Sequence, residues 1–113
     1  MKNQEQPLTP AVFYVLLALA LGKKHGYGIM QDARRLSDGG FRMGPATLYT
    51  TIQRLLELSL IEEAAAPAEA DSRRRYYQLT REGRSALNGE VNRMESAVLT
   101  ARAMNIKPVR SRG

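Results

Sequence analysis

Between Ala11 and Leu21 almost every residue is apolar, with Phe13, Val15, Leu16, Leu17 and Leu19 the bulkiest after Ala11 and Val12. A helix that is apolar on all sides belongs at the centre of a fold. Its start is written in Leu8-Thr9-Pro10: Thr9 is placed to cap, Pro10 sits where a missing N–H costs nothing, and Leu8 can staple onto Phe13. Gly22 ends the helix, and Lys23 and Lys24 are expected to complement the negative end of its dipole. His25-Gly26-Tyr27-Gly28 reads as a turn, with His25 a turn or cap residue. Ile29, Met30, Ala33 and Leu36 then recur at helical spacing and predict a short second helix, closed by Ser37-Asp38-Gly39-Gly40. Gly44-Pro45 opens a third, whose apolar stripe is Leu48, Ile52, Leu55 and Leu56.

From Leu60 the period changes. Leu60-Ile61-Glu62-Glu63-Ala64 predicts a strand, and Arg74-Arg75-Tyr76-Tyr77-Gln78-Leu79 a stronger one whose alternation turns Tyr77 and Leu79 toward the core and Tyr76 to the side of Arg74. The stretch from Pro67 to Ser72 offers no core residue, so the two strands form a hairpin with an exposed tip. Thr80 caps a last helix reaching about Met104. Along it Leu87, Val91, Met94, Val98 and Ala101 follow the four-three spacing of a helix–helix seam. Asn105 to Gly113 has no apolar period and reads as a basic tail. The expected fold is mainly α with a small β-hairpin, ordered helix, helix, helix, hairpin, helix. That is the order of a winged helix-turn-helix (1–79) followed by a dimerisation helix (80–104) and a tail (105–113).

Composition narrows the function. At 113 residues the chain has the size of one core, and 17 Lys and Arg against 11 Asp and Glu give a net charge of +6, which favours an anionic partner. With no cysteine and a single histidine, neither a disulfide framework nor a transition-metal centre has material, and no cofactor is implied. The first apolar run is shorter than the roughly 20 residues a bilayer requires, so the chain reads as cytoplasmic and without membrane contact. No Gly-rich phosphate loop, nucleophile elbow or spaced acid–base pair marks an enzyme.

The polar side of the third helix carries the informative chemistry. Thr47, Tyr49, Thr50, Gln53 and Arg54 share it, with Thr51 on the flank. A merely solvated face usually holds several Glu and Lys, whereas threonines are poor helix formers, and short donors with an amide and a guanidinium suit base edges and phosphates. Arg42 stands before this helix, and Arg73, Arg74 and Arg75 lie on the return limb of the hairpin, so cations surround the same face. The predicted partner is double-stranded DNA. The competing reading is a winged-helix module that docks another protein; an RNA-binding reading would have only Tyr49 and Tyr76 for stacking. The long seam predicts a homodimer, with Ala97 and Ala101 allowing close approach and Arg93 and Glu95 at its edges. Phe13, Tyr14, Met94 and Val98 are then placed to line a cleft for a small apolar or aromatic effector, although core packing is the better account of the same residues.

Together these segments resemble the PadR family of bacterial transcriptional regulators, from Leu8 to about Met104. The resemblance is carried by the Leu8–Leu21 helix with His25-Gly26-Tyr27-Gly28, by Ala46-Thr47-Leu48-Tyr49 with Arg54-Leu55, by Leu60-Ile61, and by Arg75-Tyr76-Tyr77-Gln78-Leu79-Thr80-Arg81-Glu82-Gly83. It implies a winged-helix dimer, usually a repressor, with Thr47, Tyr49 and Thr50 on the recognition helix and Arg73 to Arg75 on the wing. The single C-terminal helix is similar to the short-chain branch of that family. Ala46 and Thr50 stand where the family commonly has Gly and Pro, and Leu58-Ser59 where Gly often closes the third helix.

Overall fold

A computed structural model describes residues 7–71 and 73–107. Seven elements follow in order: α1 (Pro10–Ala20), β1 (Lys24–His25), α2 (Gly26–Leu36), α3 (Pro45–Glu57), β2 (Ile61–Ala64), β3 (Tyr76–Leu79) and α4 (Arg81–Ala103). The Thr9 side chain accepts from the Val12 N–H at 3.2 Å and starts α1, whose Phe13, Val15, Leu16, Ala18 and Leu19 are buried. Around α1 gather Ile29 and Ala33 of α2, Leu48, Ile52 and Leu55 of α3, Ile61 of β2, Tyr77 of β3 and Leu87 of α4. Leu8 packs on the same core, as a staple requires.

The sheet has three strands in the order β1-β3-β2, all antiparallel, where sequence alternation predicts a hairpin of two. β1 pairs Lys24 with Tyr77 and His25 with Tyr76; β2 pairs Ile61 with Leu79 and Ala64 with Tyr76. β3 begins at Tyr76, so Arg73, Arg74 and Arg75 precede it on the limb of the wing. Gly26, Tyr27 and Gly28 form the first turn of α2 and not a separate turn before it; His25 is the N-cap, accepting the Gly28 N–H on Nδ1 at 3.2 Å. Lys23 and Lys24 are drawn away from the α1 terminus. Lys23 Nζ donates to the Ala65 carbonyl at 2.6 Å, and Lys24 pairs with Asp32 at 2.9 Å.

α3 ends without glycine. Leu58 caps it, Ser59 takes the left-handed conformation (φ 61°), and the Leu60 N–H returns to the Leu55 carbonyl at 2.9 Å. The Thr80 hydroxyl then joins this turn to α4, donating to the Ser59 carbonyl at 2.7 Å and accepting from the Gly83 N–H at 3.0 Å. Here a glycine is required at position 83, because a Cβ there would run into the Leu60 carbonyl.

α4 has 23 residues, about 35 Å of helix. Only its first three turns meet the core, through buried Gly83, Leu87 and Glu90. Glu90 Oε1 accepts the Leu8 N–H at 3.2 Å and pairs with Arg93 at 2.7 Å, fastening the lead into α1 at the point where α4 leaves the body. Beyond that point Val91, Met94, Val98 and Leu99 are exposed. The radius of gyration, 15.6 Å, exceeds the roughly 13 Å of a compact chain of this length, as a projecting arm requires. No helix of the described residues is long and apolar enough to cross a membrane.

Candidate nucleic-acid interface

Helix α3 divides cleanly into two faces. Leu48, Thr51, Ile52 and Leu55 are buried, while Thr47, Tyr49, Thr50, Gln53 and Arg54 are all exposed together on the other side. Thr51 therefore belongs to the inner stripe, with Leu56 half-buried, and is withdrawn from the flank of the outer face. Pro45 at the first helical position and Gly44 as N-cap start the helix without a side-chain cap. Arg42 is exposed in the preceding loop.

The wing is organised by carboxylates. Asp71 Oδ1 accepts the Arg73 N–H at 2.9 Å and its Nε at 3.2 Å, and Oδ2 meets Arg73 Nη2 at 3.1 Å, so hydrogen bonds from Arg73 hold the Asp71 carboxyl below its ordinary pKa. Across the wing Arg75 pairs with Glu63 at 3.4 Å, and Gln78 donates to Glu62 at 2.7 Å. Arg74 differs: no carboxylate pairs with it among the described residues, and its Nη1 lies 2.6 Å from His25 Nε2 and 3.1 Å from Nδ1. Burial first, and the Arg74 charge second, lower the His25 pKa. The Tyr76 ring stands edge-on to His25 with centroids 5.4 Å apart.

Between the wing and the start of α3 these groups line an open cleft of about 410 Å³, walled by His25, Tyr27, Tyr49 and Arg73 to Arg75 and floored by Gly26 and Tyr77. Gly26 makes room for the Tyr49 ring, since a Cβ there would lie 2.8 Å from the Tyr49 hydroxyl. Burial raises the Tyr77 phenol pKa against the opposing pull of Arg75, and Glu63 and Tyr49 add to the rise. The structure thus brings Tyr49 together with all three wing arginines. Thr47, Thr50, Gln53, Arg54 and Arg42 do not line that cleft.

Sequence reasoning passes over His25 and Tyr27 as interface residues. The signal is present in the chain's single histidine and an exposed tyrosine set between two glycines. Of the seam residues, Leu87 is buried in its own chain and has almost no surface to offer a second subunit. Val91, Met94 and Val98 remain exposed and Ala101 half-exposed. Phe13 is likewise in the core, while Tyr14 is half-buried and stacks on Phe41 with centroids 5.4 Å apart.

A helix pair followed by an arginine-bearing wing, with the outer face of the second helix open beside it, is a winged helix-turn-helix. The pattern that defines the transcriptional regulator PadR-like family matches residues 15–89, and the chain belongs to that family. That family is one of transcriptional regulators and not of enzymes. A 37.1 kDa protein encoded in a transposon of Streptomyces fradiae is 38% identical over 84 residues, 74% of this chain but 23% of that protein, so the chain spans about a quarter of its length. A transcriptional regulator from Clostridium thermocellum superposes with a TM-score of 0.60 at 25% identity, covering 84% of this chain and 86% of the other. A PadR family transcription regulator from Clostridium difficile shares the fold with a TM-score of 0.64 at 22% identity, covering 86% and 96%.

Proposed function

We propose that the chain acts as a homodimer that represses transcription by occupying a pseudo-palindromic operator, with α3 reading bases in the major groove and the wing holding the backbone. The observation that carries this reading is the outer face of α3, where Thr47, Tyr49, Thr50, Gln53 and Arg54 are all exposed and Tyr49 shares a cleft with Arg73, Arg74 and Arg75. The dimer is supported by the arm of α4, whose Val91, Met94 and Val98 form one exposed stripe. A two-fold pairing through that stripe sets two copies of α3 about 34 Å apart, one turn of DNA. Met94 and Val98 also remain to line a site for a small apolar or aromatic effector. Residues 1–79 serve as the reading unit and 80–104 as the dimerising helix; the tail beyond Lys107 lies outside the described residues.

Operators selected from genomic fragments supply the test. Tyr49→Ala and Thr50→Ala each lower specific affinity by about 1–3 kcal/mol and leave nonspecific binding nearly unchanged. Arg74→Ala weakens binding to every duplex and makes the salt dependence shallower by about one phosphate per half-site. Arg73→Ala has a smaller effect, because Arg73 must first leave Asp71. An unchanged ratio of specific to nonspecific affinity in both α3 variants removes α3 from base reading.

A further inference from the structure

Tyr49 leaves α3 with its ring laid back over the start of α2. Long side chains on a helix turn toward its N-terminal end, and here that direction leads to Gly26, in the first turn of α2. A Cβ at position 26 would lie 2.8 Å from the Tyr49 hydroxyl oxygen and 3.3 Å from its Cε1, with a methyl carbon of Leu48 also at 3.3 Å. Gly26 is buried and Tyr49 is 54% exposed, so one edge of the phenol is pressed on α2 while the rest of the ring looks outward. A second observation gives the same orientation. Burial first raises the pKa of the Tyr77 phenol at the cleft floor, and Glu63 and Tyr49 add to the rise, which places the Tyr49 oxygen on the inner side of its ring. What Tyr49 offers outward is therefore ring carbon and not its O–H. Gly26 does not serve the backbone. The glycines with positive φ among the described residues are Gly22 and Gly39, so the chain accepts an alanine at 26 and only what lies over it refuses one.

We infer that Gly26 determines specificity without touching DNA: by carrying no side chain it seats the hydroxyl edge of Tyr49, so that Tyr49 meets the major groove with its ring and selects thymine by the 5-methyl group. The inference rests on the base-reading role of α3 proposed above and adds to it a base and a positioning residue. Among the four bases only thymine presents a methyl group in the major groove, and apolar side-chain surface reads it by contact. A phenol O–H free to swing outward could donate to acceptors on guanine, adenine or thymine alike and would discriminate little among them. Seated on α2, the same side chain leaves the choice to its apolar surface. Thr47, Thr50, Gln53 and Arg54, exposed on the same helix, keep hydrogen bonds for the neighbouring base pairs and phosphates.

Operators selected from genomic fragments supply the probe. Each thymine in turn is replaced by deoxyuridine, which removes the methyl group and keeps every hydrogen bond. At one position per half-site the wild type is expected to lose about fourfold in affinity for each thymine replaced, the worth of one buried methyl group. Tyr49→Phe is expected to start close to the wild-type affinity and to lose the same factor, whereas Tyr49→Ala binds both duplexes equally. Gly26→Ala, with its fold checked by circular dichroism and denaturant titration, displaces the ring and loses the discrimination. Adding Tyr49→Phe to it takes away the oxygen at 2.8 Å, leaves contacts of 3.3 Å, and should bring the discrimination back. A glycine needed only for packing gives no such rescue. Should Gly26→Ala alone fail to fold, the double variant carries the test, and its failure to fold or to discriminate overturns the seat. Tyr49→Phe losing as much as Tyr49→Ala makes the hydroxyl the reading group; a uracil penalty that persists in Tyr49→Ala gives the methyl group to another residue; a folded Gly26→Ala that still discriminates removes Gly26 from the readout. Each of these overturns the inference while operator binding stands. A wild type that prefers no duplex over another overturns base reading by α3 and the inference together.

Discussion

Helix α1 is apolar nearly all round and α4 along one stripe, and their large apolar side chains meet opposite fates. Every large side chain on the inner face of α1 is covered by its own chain, Val15 and Leu16 completely. On α4 the same kind of residues beyond Glu90 are left with nothing over them: Val91, Met94 and Val98 keep 42–46% of their surface. Both patterns are hydrophobic, but one is answered within the chain and the other is not. An apolar stripe on a soluble chain that its own fold does not cover is where a second surface belongs.

The largest expected effect breaks the covered side of this comparison. Leu16→Ala empties a fully enclosed site in α1 and should lower the free energy of unfolding by about 2–5 kcal/mol, read by denaturant titration. A cost under about 1 kcal/mol would mean that α1 is not the centre of the core. Next in size, the double change Val91→Glu with Met94→Glu acts on the uncovered side. Helix content by circular dichroism should hold, light scattering should report a monomer, and operator affinity should fall by about a hundredfold or more as two half-sites cease to bind together. A wild-type chain already monomeric at micromolar concentration removes the dimer and the palindromic operator with it. The smallest effect lies at the junction of the two regions. Ser59→Gly relieves a left-handed residue at the end of α3 and should raise stability by about 0.5–1 kcal/mol, since the Ser59 carbonyl that accepts from Thr80 is kept. A loss of stability would show that the serine side chain, not only its backbone, holds the turn.

What can be read from the chain is what has a period or a cap. Thr9, Gly44-Pro45 and Thr80 mark helix starts that the structure retains, and the Leu48, Ile52, Leu55 spacing separates the inner from the outer face of α3. β1 escapes because two residues have no period. It exists only because Tyr76 and Tyr77, far along the chain, present a free edge to Lys24 and His25. Glycine misleads as well: Gly26 and Gly28 have the look of a turn, although Gly26 is small to admit Tyr49 and not to bend the chain. Thr51 looks like a flank residue by type, yet a β-branched hydroxyl residue fills an inner position as well as Leu56 does. By spacing alone the seam on α4 is continuous. Burial divides it at Glu90, because Leu87 lies over the core while Val91, one turn on, has passed its end.

The Glu90 fastening gives the molecule a fulcrum. From Glu90 to Ala103 the helix extends about 20 Å past the body, and the Leu8 N–H and Arg93 both converge on one carboxylate at its base. Swinging such a beam by about 10° carries its far end through about 3.5 Å, close to the rise of one base pair. Under the proposed pairing, the gap between two reading faces becomes a mechanical quantity, set by how firmly this one carboxylate holds the helix as much as by the surfaces that meet.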